Sequence, residues 1–285
     1  MKLVKTVKEL RDHIKKTGLK PVGMVPTMGA LHEGHLSLVR NAAMKCPIVV
    51  VSIYVNPTQF NDKDDLKNYP RTIESDLNLL KSLLRENDVV FNPSDSEIYP
   101  EPDKRTFEFG NPGKVMEGLK RPGHFNGVAQ VVSRLFDIVK PDFAYFGQKD
   151  FQQLVIVKEL VRQTGQKVEI IGNPIIREPD GLAMSSRNRL LEPEIRENAG
   201  IIYRALSQAA LNFSGMDIPA LRSEVVNTIE SKKGFSVEYF EIVDDRELVP
   251  LTSKNELNRN KRYFGCIAVK AGKIRLIDNI EFSLA

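Results

Sequence analysis

The sequence predicts an α/β protein: a parallel sheet with helices on both faces over residues 1–177, followed by a smaller α+β domain over residues 178–285. Three observations predict it. Short β-rich runs alternate with helical patterns through the first 177 residues, which is the sequence form of βαβ units. Beyond Arg177 the alternation stops, and helical stretches are followed by three strand-like runs. A chain of 285 residues, 41% hydrophobic and 27% charged, is long enough to bury one large or two modest cores.

The first 16 residues alternate charge and aliphatics as an amphipathic helix, with Thr6 and Glu9 spaced as a capping box at its start. Strands are expected over residues 21–26, 48–55, 89–92, 143–146 and 168–171. Helices are expected between them, over 33–44, 73–85, 126–139 and 150–162, where aliphatics recur about every 3.6 residues. Polar connections at 61–71 and 93–113 interrupt the pattern, and loops of such length in a compact domain serve as functional covers. Pro193 suits the first turn of one long helix reaching about Phe213, and a second helix is expected over 218–232. Strands at 237–243, 263–270 and 274–280 complete the smaller domain. The first domain therefore reads as Rossmann-like and catalytic and the second as a lid, with residues 178–188 expected at their junction, a common place for a ligand cleft.

Charge narrows the partners. There are 41 basic and 37 acidic residues, a surplus of +4. It is confined to residues 1–177, with 26 basic and 21 acidic; residues 178–285 carry 15 and 16. No basic nucleic-acid-binding domain or polybasic membrane patch is expected, whereas an anionic small molecule fits. Cys46 and Cys266 lie in no CxxC pair and read as buried thiols. The first 16 residues have no apolar core of a secretory signal, and the most apolar run, 48–55, is too short to span a bilayer, so a cytoplasmic protein is expected.

Neither GxGxxG nor GxxxxGK[ST] occurs, so phosphate recognition must come from elsewhere. The best place is Pro26-Thr27-Met28-Gly29-Ala30-Leu31-His32-Glu33-Gly34-His35, where the first expected strand of the sheet runs into a helix and backbone N–H groups are exposed to anions. His32 and His35 are three apart, so both can donate from one helix face to one phosphate. Such a pair alone is more commonly surface or packing, and as a zinc site it lacks both HExxH spacing and a third ligand. Position at the strand-to-helix turn raises the functional reading.

This stretch resembles the HxGH motif of the nucleotidyltransferase superfamily, and Met184-Ser185-Ser186-Arg187 resembles its second, KMSKS-like signature. Further segments resemble the pantoate–beta-alanine ligase (pantothenate synthetase) family: Tyr54-Val55-Asn56-Pro57-Thr58-Gln59-Phe60, Tyr69-Pro70-Arg71, Arg121-Pro122-Gly123-His124-Phe125, Phe146-Gly147-Gln148-Lys149-Asp150 and Arg177-Glu178-Pro179-Asp180-Gly181-Leu182. The resemblance implies ATP-dependent condensation of pantoate with beta-alanine through pantoyl adenylate, with Mg²⁺, in a homodimer.

The resemblance assigns Met28 to His35, Gly147 to Asp150, Ile176 and Met184 to Arg187 to ATP, with His32, His35, Lys149 and Arg187 catalytic. Gln59 and Gln153 would meet pantoate, Gln59 also beta-alanine, while Asn56, Arg121 and His124 fall in the substrate-side motifs. Asn56 could equally end a strand, Gln153 could cap a helix with Asp150, and Lys149 could be solvated. Some family members hold Mg²⁺ with adjacent carboxylates and a glutamine after the Tyr-Pro-Arg segment. Here Ser75, Asp76 and Leu79 stand there, leaving Asp76 as the one candidate ligand and ATP oxygens and water as the main ones. Residues 181–188 are the expected moving loop. The alternatives are another HxGH nucleotidyltransferase forming a nucleotidyl product, a small tRNA-synthetase-like RNA binder, and an inactive nucleotide sensor.

Overall fold

The structure, a computed structural model, describes residues 1–61 and 63–283. Strands β1 (Lys2–Val4), β2 (Val22–Thr27), β3 (Ile48–Ile53), β4 (Val89–Phe91), β5 (Phe143–Gly147) and β6 (Glu169–Asn173) form one sheet. Every pairing in it is parallel, in the order β1-β4-β3-β2-β5-β6. Successive strands β2, β3 and β4 are added toward one edge, and β5 and β6 then toward the other, so the switch point, outside whose strand ends α/β folds bind ligands, lies between β2 and β5.

Both faces of this sheet are covered. Side chains alternate along a strand, and Val49, Val51 and Ile53 pack with Leu36, Val39 and Ala42 of helix Glu33–Lys45. Their neighbours Ile48 and Val50 are also 0% exposed. On β5, Tyr145 joins the first cluster, while Phe146 meets Phe136 of helix His124–Val139 edge-on at 6.5 Å.

The chain divides into two compact units, and the division is not a single cut. Residues 1–109, 117–147 and 156–174 form the first; residues 110–116, 148–155 and 175–285 form the second. Strands β7 (Phe235–Asp244), β8 (Tyr263–Ala271) and β9 (Ile274–Phe282) make an antiparallel sheet in the second unit. Leu221, Val225 and Ile229 of helix Ile218–Glu230 pack on Ile242, Ile267 and Val269. Phe151 stacks on Phe264 at 4.2 Å beside Met116, Val155 and Cys266, which explains why two short segments from earlier in the chain belong here. Both cysteines are buried and neither is in a disulfide.

Several expectations are corrected. Lys2–Val4 is a strand, because it completes the edge of β4 in register with residues 89–91; the helix starts after Thr6, whose capping box with Glu9 is present. The helix expected over 73–85 ends at Leu80. The polar connections hold short helices, Lys63–Asn68 and Asp95–Ile98. The single helix expected from Pro193 is two, Pro193–Asn198 and Ile201–Asn212. The break sits at Gly200, where a Cβ would lie 2.6 Å from the Asp180 carbonyl oxygen.

Candidate active site

In the first unit, β2 ends at Thr27 and helix Glu33–Lys45 begins at Glu33. The intervening turn is held from beneath. Thr27 Oγ1 donates to the Ser52 carbonyl at 2.7 Å and accepts the Gly29 N–H at 3.2 Å. Gly29 has φ +83°, and a Cβ there would lie 3.0 Å from Asp76 Oδ2. Ala30 follows at φ +50°, an uncommon conformation for a residue with a side chain. Asp76, 1% exposed, compensates: Oδ2 accepts the Ala30 N–H at 3.0 Å and Oδ1 the Leu31 N–H at 2.8 Å, with Thr72 Oγ1 at 3.3 Å. Asp76, the candidate metal ligand expected from the sequence, is thus placed beneath the turn, with each of its oxygens accepting a backbone N–H. Sequence reasoning missed that role because donor and acceptor are about 46 positions apart.

His32 caps the helix that follows. Its Nδ1 accepts the Gly34 N–H at 3.1 Å, so in the neutral ring the proton sits on Nε2, which becomes a donor. The His35 ring lies 4.1 Å from that of His32, at the N-terminal end of the helix, where the backbone dipole favours anions. Glu33 points away into an ion pair with Arg40 at 2.8 Å.

Beside the turn, Gln59 is half-buried and held from two directions. Asn56 Nδ2 donates to Gln59 Oε1 at 3.3 Å and to the Gly127 carbonyl at 3.1 Å, while Asn56 Oδ1 accepts from Tyr99 Oη and Thr58 Oγ1. With Oε1 engaged, Gln59 turns Nε2 toward Met28, 3.2 Å from its sulfur. Asn56 itself is 1% exposed, so it orients Gln59 rather than lining a cavity. His124, 6% exposed, acts on the same residue. Arg121 is always a donor, so the 3.1 Å contact to His124 Nε2 makes that nitrogen an acceptor, and His124 Nδ1–H donates to the Gln59 carbonyl at 2.8 Å. A cavity of about 450 Å³ lies alongside, lined by Met28, Gly29, Tyr54, Arg71, Asp76 and Asn92. Burial, reinforced by Asp95 at 2.9 Å, pushes the Tyr54 phenol well above its ordinary value, so it stays a protonated donor.

In the second unit, Gln148–Asp150 is a 3-10 turn leading directly into helix Phe151–Thr164. Gln148 and Lys149 are half-buried and Asp150 is exposed. Gln153 is half-buried; its neighbour Gln152, unremarked in the sequence, is buried and donates to the carbonyls of Pro112 and Val115 at 2.8 Å each. Residues 176–184 form a hairpin, closed by Met184 N–H to the Ile176 carbonyl at 3.0 Å and Glu178 N–H to the Leu182 carbonyl at 2.8 Å. Ser185 then caps a 3-10 turn over Ser186–Leu190, its hydroxyl accepting the Arg187 N–H at 3.3 Å. Among the described residues no cluster of three or more His, Cys, Asp or Glu side chains could hold a metal.

The pantoate–beta-alanine ligase family model matches residues 2–281. The chain belongs to the pantoate–beta-alanine ligase family. A relative from Azobacteroides pseudotrichonymphae, named pantothenate synthetase, is 50% identical over 286 residues, covering 99% of this chain and 100% of that protein. Among solved structures of the family, the pantothenate synthetase of Thermus thermophilus aligns with a TM-score of 0.91 at 40% identity, covering 100% of both chains. A pantoate–beta-alanine ligase from Francisella tularensis, solved in complex with beta-gamma ATP and beta-alanine, aligns at 0.79 and 36% identity, covering 100% of this chain and 99% of that one. Membership of the family extends over the region beyond residue 190, where the motifs are sparse.

Proposed function

We propose that this ligase joins pantoate to beta-alanine at the expense of ATP, by way of pantoyl adenylate. Family membership and the relatives' names support the overall reaction. The observation that carries the mechanism is the Asp76-anchored turn, which presents the His32 and His35 rings 4.1 Å apart at a helix N-terminus. Free carboxylate is a poor acyl donor because oxide is a poor leaving group. The pantoate carboxylate oxygen therefore attacks the α-phosphorus, the bond from that phosphorus to the β-phosphate oxygen breaks, and pyrophosphate leaves. The beta-alanine amine then attacks the acyl carbon, loses a proton, and expels AMP.

His32 through Nε2–H, His35, Lys149 and Arg187 stabilise the charge that builds on the departing phosphates, a matter of placed donors rather than a covalent intermediate. The backbone of Met28 to Gly34, Gly147 to Asp150, Ile176 and Met184 to Ser186 completes the ATP contacts. Gln59, aimed by Asn56 and His124, and Gln153 receive pantoate. Closure of residues 181–188 keeps water from the adenylate. Mg²⁺ would rest mostly on ATP oxygens and water, as is usual for that ion.

The same reading makes the protein a cytoplasmic homodimer. No helix among the described residues is long and apolar enough to cross a membrane, and sedimentation equilibrium tests the dimer. The reaction is tested by product analysis with each substrate omitted in turn. AMP and pyrophosphate are expected, with pantothenate formed only when beta-alanine is present. Release of ADP and phosphate would overturn the adenylate route, and a stable nucleotidyl product would mean a different nucleotidyltransferase.

A further inference from the structure

Two segments that the proposal assigns to the triphosphate, residues 148–150 and 184–187, are held by two consecutive residues of β9. Asn279 is 2% exposed, and its amide is spent on the first segment. Nδ2 donates to the carbonyls of Gln148 at 2.9 Å and Lys149 at 3.0 Å, and Oδ1 accepts from Gln148 Nε2 at 3.4 Å. Asp278, 4% exposed, holds the second segment through Arg177. The contact is bidentate, at 2.6 and 3.0 Å, the geometry in which a guanidinium is most firmly oriented.

Arg177 passes that orientation on. It donates to the Gly181 carbonyl at 3.0 Å and lies over the Tyr203 ring at 3.8 Å. Gly181 has φ +91° and approaches the same ring so closely that a Cβ would lie 2.4 Å from Cδ1. The hairpin carrying Met184 to Arg187 is thus seated on Tyr203 and Arg177, and Arg177 on Asp278. Neighbouring residues on a strand point to opposite sides, so one dipeptide reaches two segments. The Asn279 N–H, 2.7 Å from Asp278 Oδ1, ties the two halves together.

A strand centre serving only stability would be at least as well filled by aliphatic residues, since burying an ion pair gains little over apolar packing. Burial pushes the Asp278 carboxyl above its ordinary value against the pull of Arg177, which marks the cost of keeping it there. We propose that Asp278 and Asn279 are positioning residues for adenylation, setting Lys149 and the 184–187 loop in place for the triphosphate. This rests on the assignment of Lys149 and Arg187 to ATP.

The test separates the half-reactions. Adenylation is followed as pyrophosphate release from ATP and pantoate; the second step is followed as pantothenate formation from prepared pantoyl adenylate and beta-alanine. Asn279→Asp removes the donors to two carbonyls and should lower kcat/KM for ATP in adenylation about ten- to a hundredfold, as loss of buried hydrogen bonds does. The second step should stay within error of the parent. Asp278→Asn should lower adenylation by a similar factor, and Arg177→Lys, which keeps the charge but not the fork, covers the case in which Asp278→Asn does not fold. Combined with Lys149→Ala, Asn279→Asp should add little further loss, because it acts through Lys149. Equal loss in both half-reactions, full additivity with Lys149→Ala, or no loss would overturn the proposal. If Lys149→Ala itself leaves adenylation intact, the underlying ATP assignment fails instead.

Discussion

Replacing Asp76 with asparagine tests whether the turn proposed to bind phosphate depends on the residue buried beneath it. Its carboxylate accepts two backbone N–H groups, from Ala30 at 3.0 Å and Leu31 at 2.8 Å, in a site 1% exposed. Hydrogen bonds to a charged group contribute about 1.5–3 kcal/mol each, and a buried donor left unpaired costs about 1–3 kcal/mol. Asparagine has one acceptor oxygen, so it keeps one bond in weaker form and sets an amide N–H₂ against the other backbone N–H. The expected loss is about 2–4 kcal/mol. Because Ala30 is held at φ +50°, a conformation costing roughly 1–2 kcal/mol, releasing it lets the turn relax away from the geometry ATP needs. If most of the loss falls on ATP recognition, kcat/KM for ATP drops about 30- to 1000-fold. The assays are initial rates over a range of ATP and Mg²⁺ concentrations together with urea unfolding. Unchanged kcat/KM with an unchanged urea midpoint would refute the reasoning. Recovery of activity at high Mg²⁺ would refute it differently, by making Asp76 a metal ligand.

The remaining predictions address separate contacts. His35→Ala or Lys149→Ala should lower kcat by about 10²-fold or more in adenylation, as removal of a transition-state donor does; single-turnover pyrophosphate release checks it. His32→Asn should keep the helix cap and lose the Nε2 donor, so activity falls at nearly unchanged stability, whereas His32→Ala should also lose about 1 kcal/mol of stability by chemical denaturation. Asn56→Asp removes the donor that fixes the Gln59 amide and should raise KM for pantoate more than KM for ATP in steady-state assays. The Arg105 guanidinium, with Arg134 behind it, holds the Asp103 carboxyl at about 2, down from 3.8. A depressed carboxylate stabilises the fold above its unfolded pKa and loses that stabilisation as pH falls. Acid unfolding should therefore steepen from pH 3.8 toward about 2. Asp103→Asn should remove that part of the acid dependence in circular-dichroism titrations.

What could be read from the sequence divides by the distance over which each residue's meaning is set. The Thr6 and Glu9 capping box is complete within four residues and is present as expected. Ile48–Ile53 announces a strand buried on both faces by composition alone. Lys2–Val4 does not, because three residues are a strand only once β4 lies beside them. Nor does the interruption at Gly200 have a local cause: its neighbour is the Asp180 carbonyl, twenty positions earlier. Glycine at that point in a helical run carries no sequence mark distinguishing tolerance from necessity.

The same division runs through the site. His32 and His35 are legible as a pair because both stand at one strand-to-helix turn, so sequence neighbours become neighbours in space. The residues that orient them need no such proximity. Asp76 reaches the turn from the next-but-one helix, and His124 reaches Gln59 across 65 positions. Asn56 and His124 carry motif positions yet are nearly wholly buried and bond to Gln59, so these motifs include groups that orient a neighbouring residue. A substitution at either kind of position, contacting or orienting, should lower activity, and a single rate measurement cannot tell them apart. What separates them is which constant moves. Loss of a contacting donor should act on the step in which that donor is used, whereas loss of an aiming group should change the constant of whatever its partner binds and vanish when the partner is already gone. The Asn279 and Lys149 pair, like Asn56 and Gln59, is suited to that comparison because the bond joining the two is a single identified contact.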